Sequence, residues 1–188
     1  MDERMDQPVG RPRGGRELLT LTAGRRSGLA LKRLVLIFGA TYLGLVCLTN
    51  IVNLVNVVAG THSRFLNSQN ASYIASVVKV YAVPGWFDNL AVLGAALVEG
   101  LGAWLFIRAL RRFRGDGSGL TEAYQALAWN IAVWFAFIVG TEFFVAYPSE
   151  SPFRELLGLG FLMALLITLV PDAPSGSSRP GLPEVSEG

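Results

Sequence analysis

The sequence predicts an all-α membrane protein: a four-transmembrane-helix bundle with an outer interfacial segment. Composition is the first reason. Of 188 residues, 52% are hydrophobic and only 16% charged, with a mean hydropathy of +0.44, a balance foreign to an ordinary soluble domain. The second reason is arrangement, because the apolar residues fall into four long runs separated by turn signals and charge. Four spans of about 20 residues each leave only tails and connections, and no second folded domain fits beside them.

Residues 1–33 are polar and rich in Gly, Pro and Arg, and are expected to form a flexible basic tail with at most a short amphipathic stretch at 18–21. The first span, 34–59, has 26 residues without a charge, enough for about 39 Å of helix. Pro84-Gly85 signals a turn before the second, 90–110, which ends in Arg108, Arg111, Arg112 and Arg114. A hinge from Gly115 to Gly119 follows. Thr121 and Glu122 then cap the third span, 123–146, closed by Tyr147-Pro148. The fourth, 153–170, is stopped by Pro171, and residues 171–188, rich in Pro and Gly, are expected to be a disordered tail. Between the first two spans, Tyr73, Ile74, Val77, Val78 and Tyr81 follow helical spacing, which predicts an amphipathic helix on the outer interface.

Four spans put both termini on one side. Thirteen of the 16 Lys and Arg lie in the tails and the loop between spans two and three, whereas only Arg64, Lys79 and Arg154 lie opposite. By the positive-inside rule both termini are cytoplasmic. The net charge of +2 is too small to indicate nucleic acid as a partner. A lone cysteine, Cys47, and a lone histidine, His62, exclude a disulfide scaffold, a Cys/His zinc site and a haem held by two histidines of one chain. No cofactor is expected. Cys47 reads as a packing residue and His62 as a solvated boundary residue.

Two acids, Glu99 and Glu142, fall more than one turn inside the predicted spans, and each costs about 2.5 to 3.5 kcal/mol on insertion scales. Glu99 sits near the midplane on a face shared with Ala91, Ala95, Gly102 and Ala103, so it is expected to face the bundle interior. Glu142 is expected in the outer leaflet. Asn50, Asn53 and Asn56 recur every three residues at similar depth, and their amides can donate to a carboxylate. The candidate site is therefore an intramembrane polar cluster of Glu99, Glu142, Asn50, Asn53 and Asn56.

The order of features from Leu34 to Asp172, about three quarters of the chain, resembles the predicted small integral membrane proteins of bacteria, a four-helix family of unknown function. The resemblance is carried by the Asn70 to Pro84 segment, by Ala95-Ala96-Leu97-Val98-Glu99-Gly100 before Gly102-Ala103-Trp104, and by Val139-Gly140-Thr141-Glu142-Phe143-Phe144. It implies four helices in a bacterial inner membrane and supplies no catalytic or binding residue. The expected role is a non-catalytic accessory or interaction protein, whose partners are the lipid bilayer and either a second copy or a larger membrane complex. The alternatives are a small proton, cation or solute transporter using Glu99, and an anchor subunit of a respiratory complex. Nothing resembles a nucleophile–base pair, a phosphate-binding loop or a metal-ligand set, so an enzyme is not expected.

Overall fold

The computed structural model describes residues 14–61 and 63–171, the side chains of 14–26 and Ser149 excepted. Five α-helices follow one another: α1 Gly14–Ala59, α2 Asn70–Val78, α3 Trp86–Arg112, α4 Leu120–Phe143 and α5 Glu150–Leu169. No strand occurs among the described residues. Four helices are long and apolar enough to cross a membrane, over Ser27–Ala59, Trp86–Arg112, Leu120–Phe143 and Glu150–Leu169. Leu34, Leu45, Val58, Leu97, Phe135 and Leu169 are among many large apolar side chains left exposed on their outer faces, where a soluble bundle would carry charge.

α1 begins at Gly14, so residues 14–33 are helical where composition suggested a flexible tail. After Pro12 and Pro8 that stretch contains no proline, and Leu, Ala, Arg and Glu are favourable helix formers that carry the helix back from its apolar half. At 46 residues α1 is far longer than a bilayer core requires. Residues 1–13 and 172–188, and His62, lie outside the described residues.

The bundle has a distal end, which carries α2, and a basal end, which carries the 113–119 turn. α1 packs most extensively on α3, and α4 lies between α3 and α5. Missing side chains allow the closest approaches. A Cβ on Gly39 would stand 2.6 Å from the Phe106 ring, and one on Gly102 would stand 2.6 Å from Leu43 Cδ1. The basal half is a dry core of Leu36, Leu43, Phe106, Phe113, Ala123, Leu127 and Ile167. Trp129 adds a specific tie by donating its indole N–H to the Val98 carbonyl at 2.9 Å, joining α4 to α3.

At the basal end Arg33 donates to the Phe113 carbonyl at 3.2 Å, and Arg112 pairs with Glu122 at 2.5 Å across the turn. Gly119 has φ 80°, and a Cβ there would strike the Arg112 carbonyl, so the turn requires glycine at this position. Within it the Ser118 hydroxyl and amide donate to Asp116, holding that carboxyl below the usual carboxylate range. At the distal end the Tyr81 hydroxyl donates to the Phe143 carbonyl at 2.7 Å, tying the 3₁₀ turn after α2 to the end of α4.

Candidate functional site

The site is assembled from α1 outward. Asn50, Asn53 and Asn56 are all buried, at 1%, 4% and 7% exposure, although each is polar and lies in an apolar helix. Burying an amide without partners is costly, so their bonds explain their positions. Asn50 Nδ2 donates to Glu99 Oε2 at 2.7 Å, and Asn50 Oδ1 accepts from Asn70 Nδ2 and from the Ser68 hydroxyl. One turn further, Asn53 Nδ2 donates to Asn67 Oδ1 and Asn53 Oδ1 accepts the Ala71 backbone N–H, each at 2.8 Å. Asn56 donates to the Ser63 carbonyl at 2.9 Å and accepts from the Thr61 hydroxyl at 2.7 Å.

The three asparagines therefore form a ladder that pins the 61–71 segment along α1. Asn53 does more than attach it. Gln69, which precedes α2, gives no side-chain cap, and the orphan N–H of Ala71 in the first turn is satisfied by Asn53 from a different helix. This bond sets α2 across the distal end of the bundle. Sequence reasoning identified the asparagine spacing but missed its loop partners Ser68, Asn67 and Asn70. The available signal was the run of small polar residues between Thr61 and Asn70, a density of donors and acceptors beyond what a solvated loop needs.

Glu99 lies thirteen residues from either end of α3, at the centre of the span, and is 2% exposed. Small residues share its face: Ala91 and Ala95 above it, Gly102 and Ala103 below. Glu142 is elsewhere. It is exposed on the last turn of α4 and makes no hydrogen bond to Asn50, Asn53 or Asn56, so the expected five-residue cluster contains four. Two features explain the difference. α4 ends at Phe143, three residues before its expected end, which moves Glu142 to the rim. Its inward face is the series Asn130, Trp134, Phe137 and Thr141, and Glu142 stands about 100° away from Thr141 around the axis.

Beside Glu99 the distal half of the bundle holds a half-open cavity of about 450 Å³. Glu99 and Asn50 lie at its base with Tyr42. Tyr73, Ile74, Val77 and Val78 of α2 form its roof, and its walls are Phe87 and Ala95 of α3, Trp134 and Phe137 of α4, Phe144 just after it, and Phe153 and Leu156 of α5. The rings make a continuous surface, with centroids 6.2 Å apart for Tyr42 and Trp134, 6.3 Å for Trp134 and Phe153, and 5.3 Å for Phe137 and Phe153. Trp134 is fixed there by donating to Asn130 Oδ1 at 2.9 Å.

Chemically, the cavity offers apolar and aromatic walls with one acidic group at their base. Such a chamber has the size and lining of a small-molecule pocket, which commonly spans about 300 to 1,000 Å³. Among the described residues no three His, Cys, Asp or Glu side chains converge as a metal site would require. Cys47 is half-buried beside α3, with its sulfur 3.2 Å from the position a Cβ on Gly100 would take, which is the contact of a packing residue. No family model, no characterised protein and no solved structure matches the chain.

Proposed function

We propose that this multi-pass membrane protein resides in a bacterial cytoplasmic membrane with both termini inside, and that it is a non-catalytic accessory protein whose distal cavity holds a membrane-dissolved small molecule. The cavity beside Glu99 is the observation that carries this reading. Membrane helices can close on one another where small residues meet, yet here Ala91, Ala95 and Gly140 border open space, and α2 is held above it by a dedicated set of asparagine bonds. Below Glu99 the packed side chains of Leu36, Leu43, Phe106 and Leu127 fill the basal half, which favours holding over passage through the bundle. Support for a bacterial inner membrane comes from the resemblance described above, and for the orientation from the distribution of Lys and Arg.

The test is chemical identification of what the protein carries. Purified in mild detergent and extracted with organic solvent, it should release a molecule enriched over an unrelated membrane protein from the same cells. Gly140→Leu should reduce that enrichment severalfold, because Gly140 lines the cavity and a Cβ there meets nothing within 4 Å. Extracts indistinguishable from the control protein, for both forms, would refute the holding role. The same preparation identifies any co-purifying chain, the other half of the accessory reading.

A further inference from the structure

We infer that the cavity selects amphiphilic cations, with a single ammonium-type or phosphonium-type centre facing Glu99 and apolar groups lying among the aromatic walls. This rests on the reading that the cavity holds a membrane-dissolved molecule, and it names the class. Three observations converge on it. Among the described residues Glu99 is the only carboxyl group bordering the cavity, and no Lys or Arg lines it. Among the described residues its carboxyl is engaged by a single donor, Asn50 Nδ2 on Oε2, and by no ion pair, so most of the roughly four acceptor positions of a carboxylate are left unused by them. Aromatic rings, among them Tyr42, Trp134, Phe137 and Phe153, share the remaining lining with aliphatic side chains, and a ring face attracts a desolvated cation through its quadrupole.

Other classes meet that lining less well. An anion would be placed beside an acidic group with no basic residue at hand to offset it. A plain hydrocarbon would fill the walls and leave the carboxyl facing it with Asn50 as its one donor among the described residues, at a cost that lipid tails elsewhere in the bilayer do not incur. A lipophilic cation satisfies both surfaces at once. It also reaches the site through the membrane, because its apolar groups partition into lipid before its charge finds Glu99. The basal packing of Leu43 and Phe106 then keeps the charge from continuing across the bundle.

Equilibrium dialysis of the full chain in nonionic detergent tests the class with three probes of similar shape: tetraphenylphosphonium, its anionic counterpart tetraphenylborate, and neutral triphenylphosphine. Empty micelles set the baseline. Saturable tetraphenylphosphonium binding, weakened at least about tenfold by Glu99→Gln and largely retained by Glu99→Asp, with tetraphenylborate excluded, is the expected result. Triphenylphosphine binding that survives Glu99→Gln shows that the variant keeps its fold. Equal tetraphenylphosphonium affinity in wild type and Glu99→Gln, or tetraphenylborate binding as tightly, overturns the cation class. If in that case triphenylphosphine is still bound and is displaced by Gly140→Leu, the cavity retains its holding role. Saturable binding of none of the three overturns both.

Discussion

Asn50 connects more of the buried polar structure than any neighbouring side chain, because its donor holds Glu99 while its acceptor holds Asn70 and Ser68. Leucine in its place would leave the Glu99 carboxyl without its donor and the Asn70 amide without its acceptor. Stranded buried polar groups cost about 1 to 3 kcal/mol each in soluble proteins, while hydrogen bonds between membrane helices average about 0.6 kcal/mol. Asn50→Leu should therefore lower unfolding stability by about 2 kcal/mol. Asn56 makes as many bonds, yet its partners Thr61 and Ser63 are exposed, so water replaces what it loses and Asn56→Ala should cost about 0.5 kcal/mol. Denaturant titration in detergent micelles measures both, and equal losses would contradict the ranking. The asparagine spacing was legible in the sequence because a period of three on a helix is visible without coordinates. Its partners were not, because the 61–71 segment is shaped by left-handed residues such as Leu66 and Gln69, at φ 53° and 57°, which no propensity predicts.

Among the elements, the helices were legible and their rotation was not. Apolar length marked four spans to within a few residues at most ends, and the Tyr73 to Tyr81 pattern marked a helix where α2 and its 3₁₀ turn stand. Glu142 shows the missing information: depth along α4 followed from counting, whereas the inward face depended on how Trp134 and Phe137 pack against Tyr42 and Phe153. Rotation also decides which glycines matter. Gly39 and Gly94 are both helical, yet a methyl on Gly39 would meet the fully buried Phe106 ring at 2.6 Å, and a methyl on Gly94 would meet nothing within 4 Å. A buried ring wedged between α1 and α3 has little room to retreat. Gly39→Ala should cost about 1 to 3 kcal/mol, after the gain of up to about 1 kcal/mol in helix propensity that either substitution brings. Gly94→Ala should be neutral or stabilising. Thermal unfolding in micelles separates the two, and a destabilised Gly94→Ala would show that the α3 surface is occupied by something other than lipid.

For the whole molecule the strongest asymmetry is electrical. The basal end gathers Lys32, Arg33, Arg108, Arg111, Arg112 and Arg114 from two stretches of chain, while Arg64, Lys79 and Arg154 are spread over the distal end. Local contacts hold some of them, such as Arg33 on the Phe113 carbonyl and Arg112 on Glu122, but do not account for the whole division. Arg111 and Arg114 are exposed, and stability of the bundle would tolerate them at either end. Insertion in the proposed orientation accounts for it, because basic residues flanking a span resist transfer and stay on the cytoplasmic side. The proposed orientation would place the cavity and α2 toward the outer face, where a hydrophobic cation arriving from outside would meet Glu99 before any packed barrier. The chain has one cysteine, so a Cys47→Ala background allows single sites to be read without interference. Ser72→Cys, on the exposed side of α2, should react with a membrane-impermeant maleimide in intact cells. Ser118→Cys, in the basal turn, should react only in inverted vesicles or after permeabilisation. Labelling of Ser118→Cys in intact cells, with Ser72→Cys protected, would reverse the orientation and move the mouth of the cavity to the cytoplasmic leaflet.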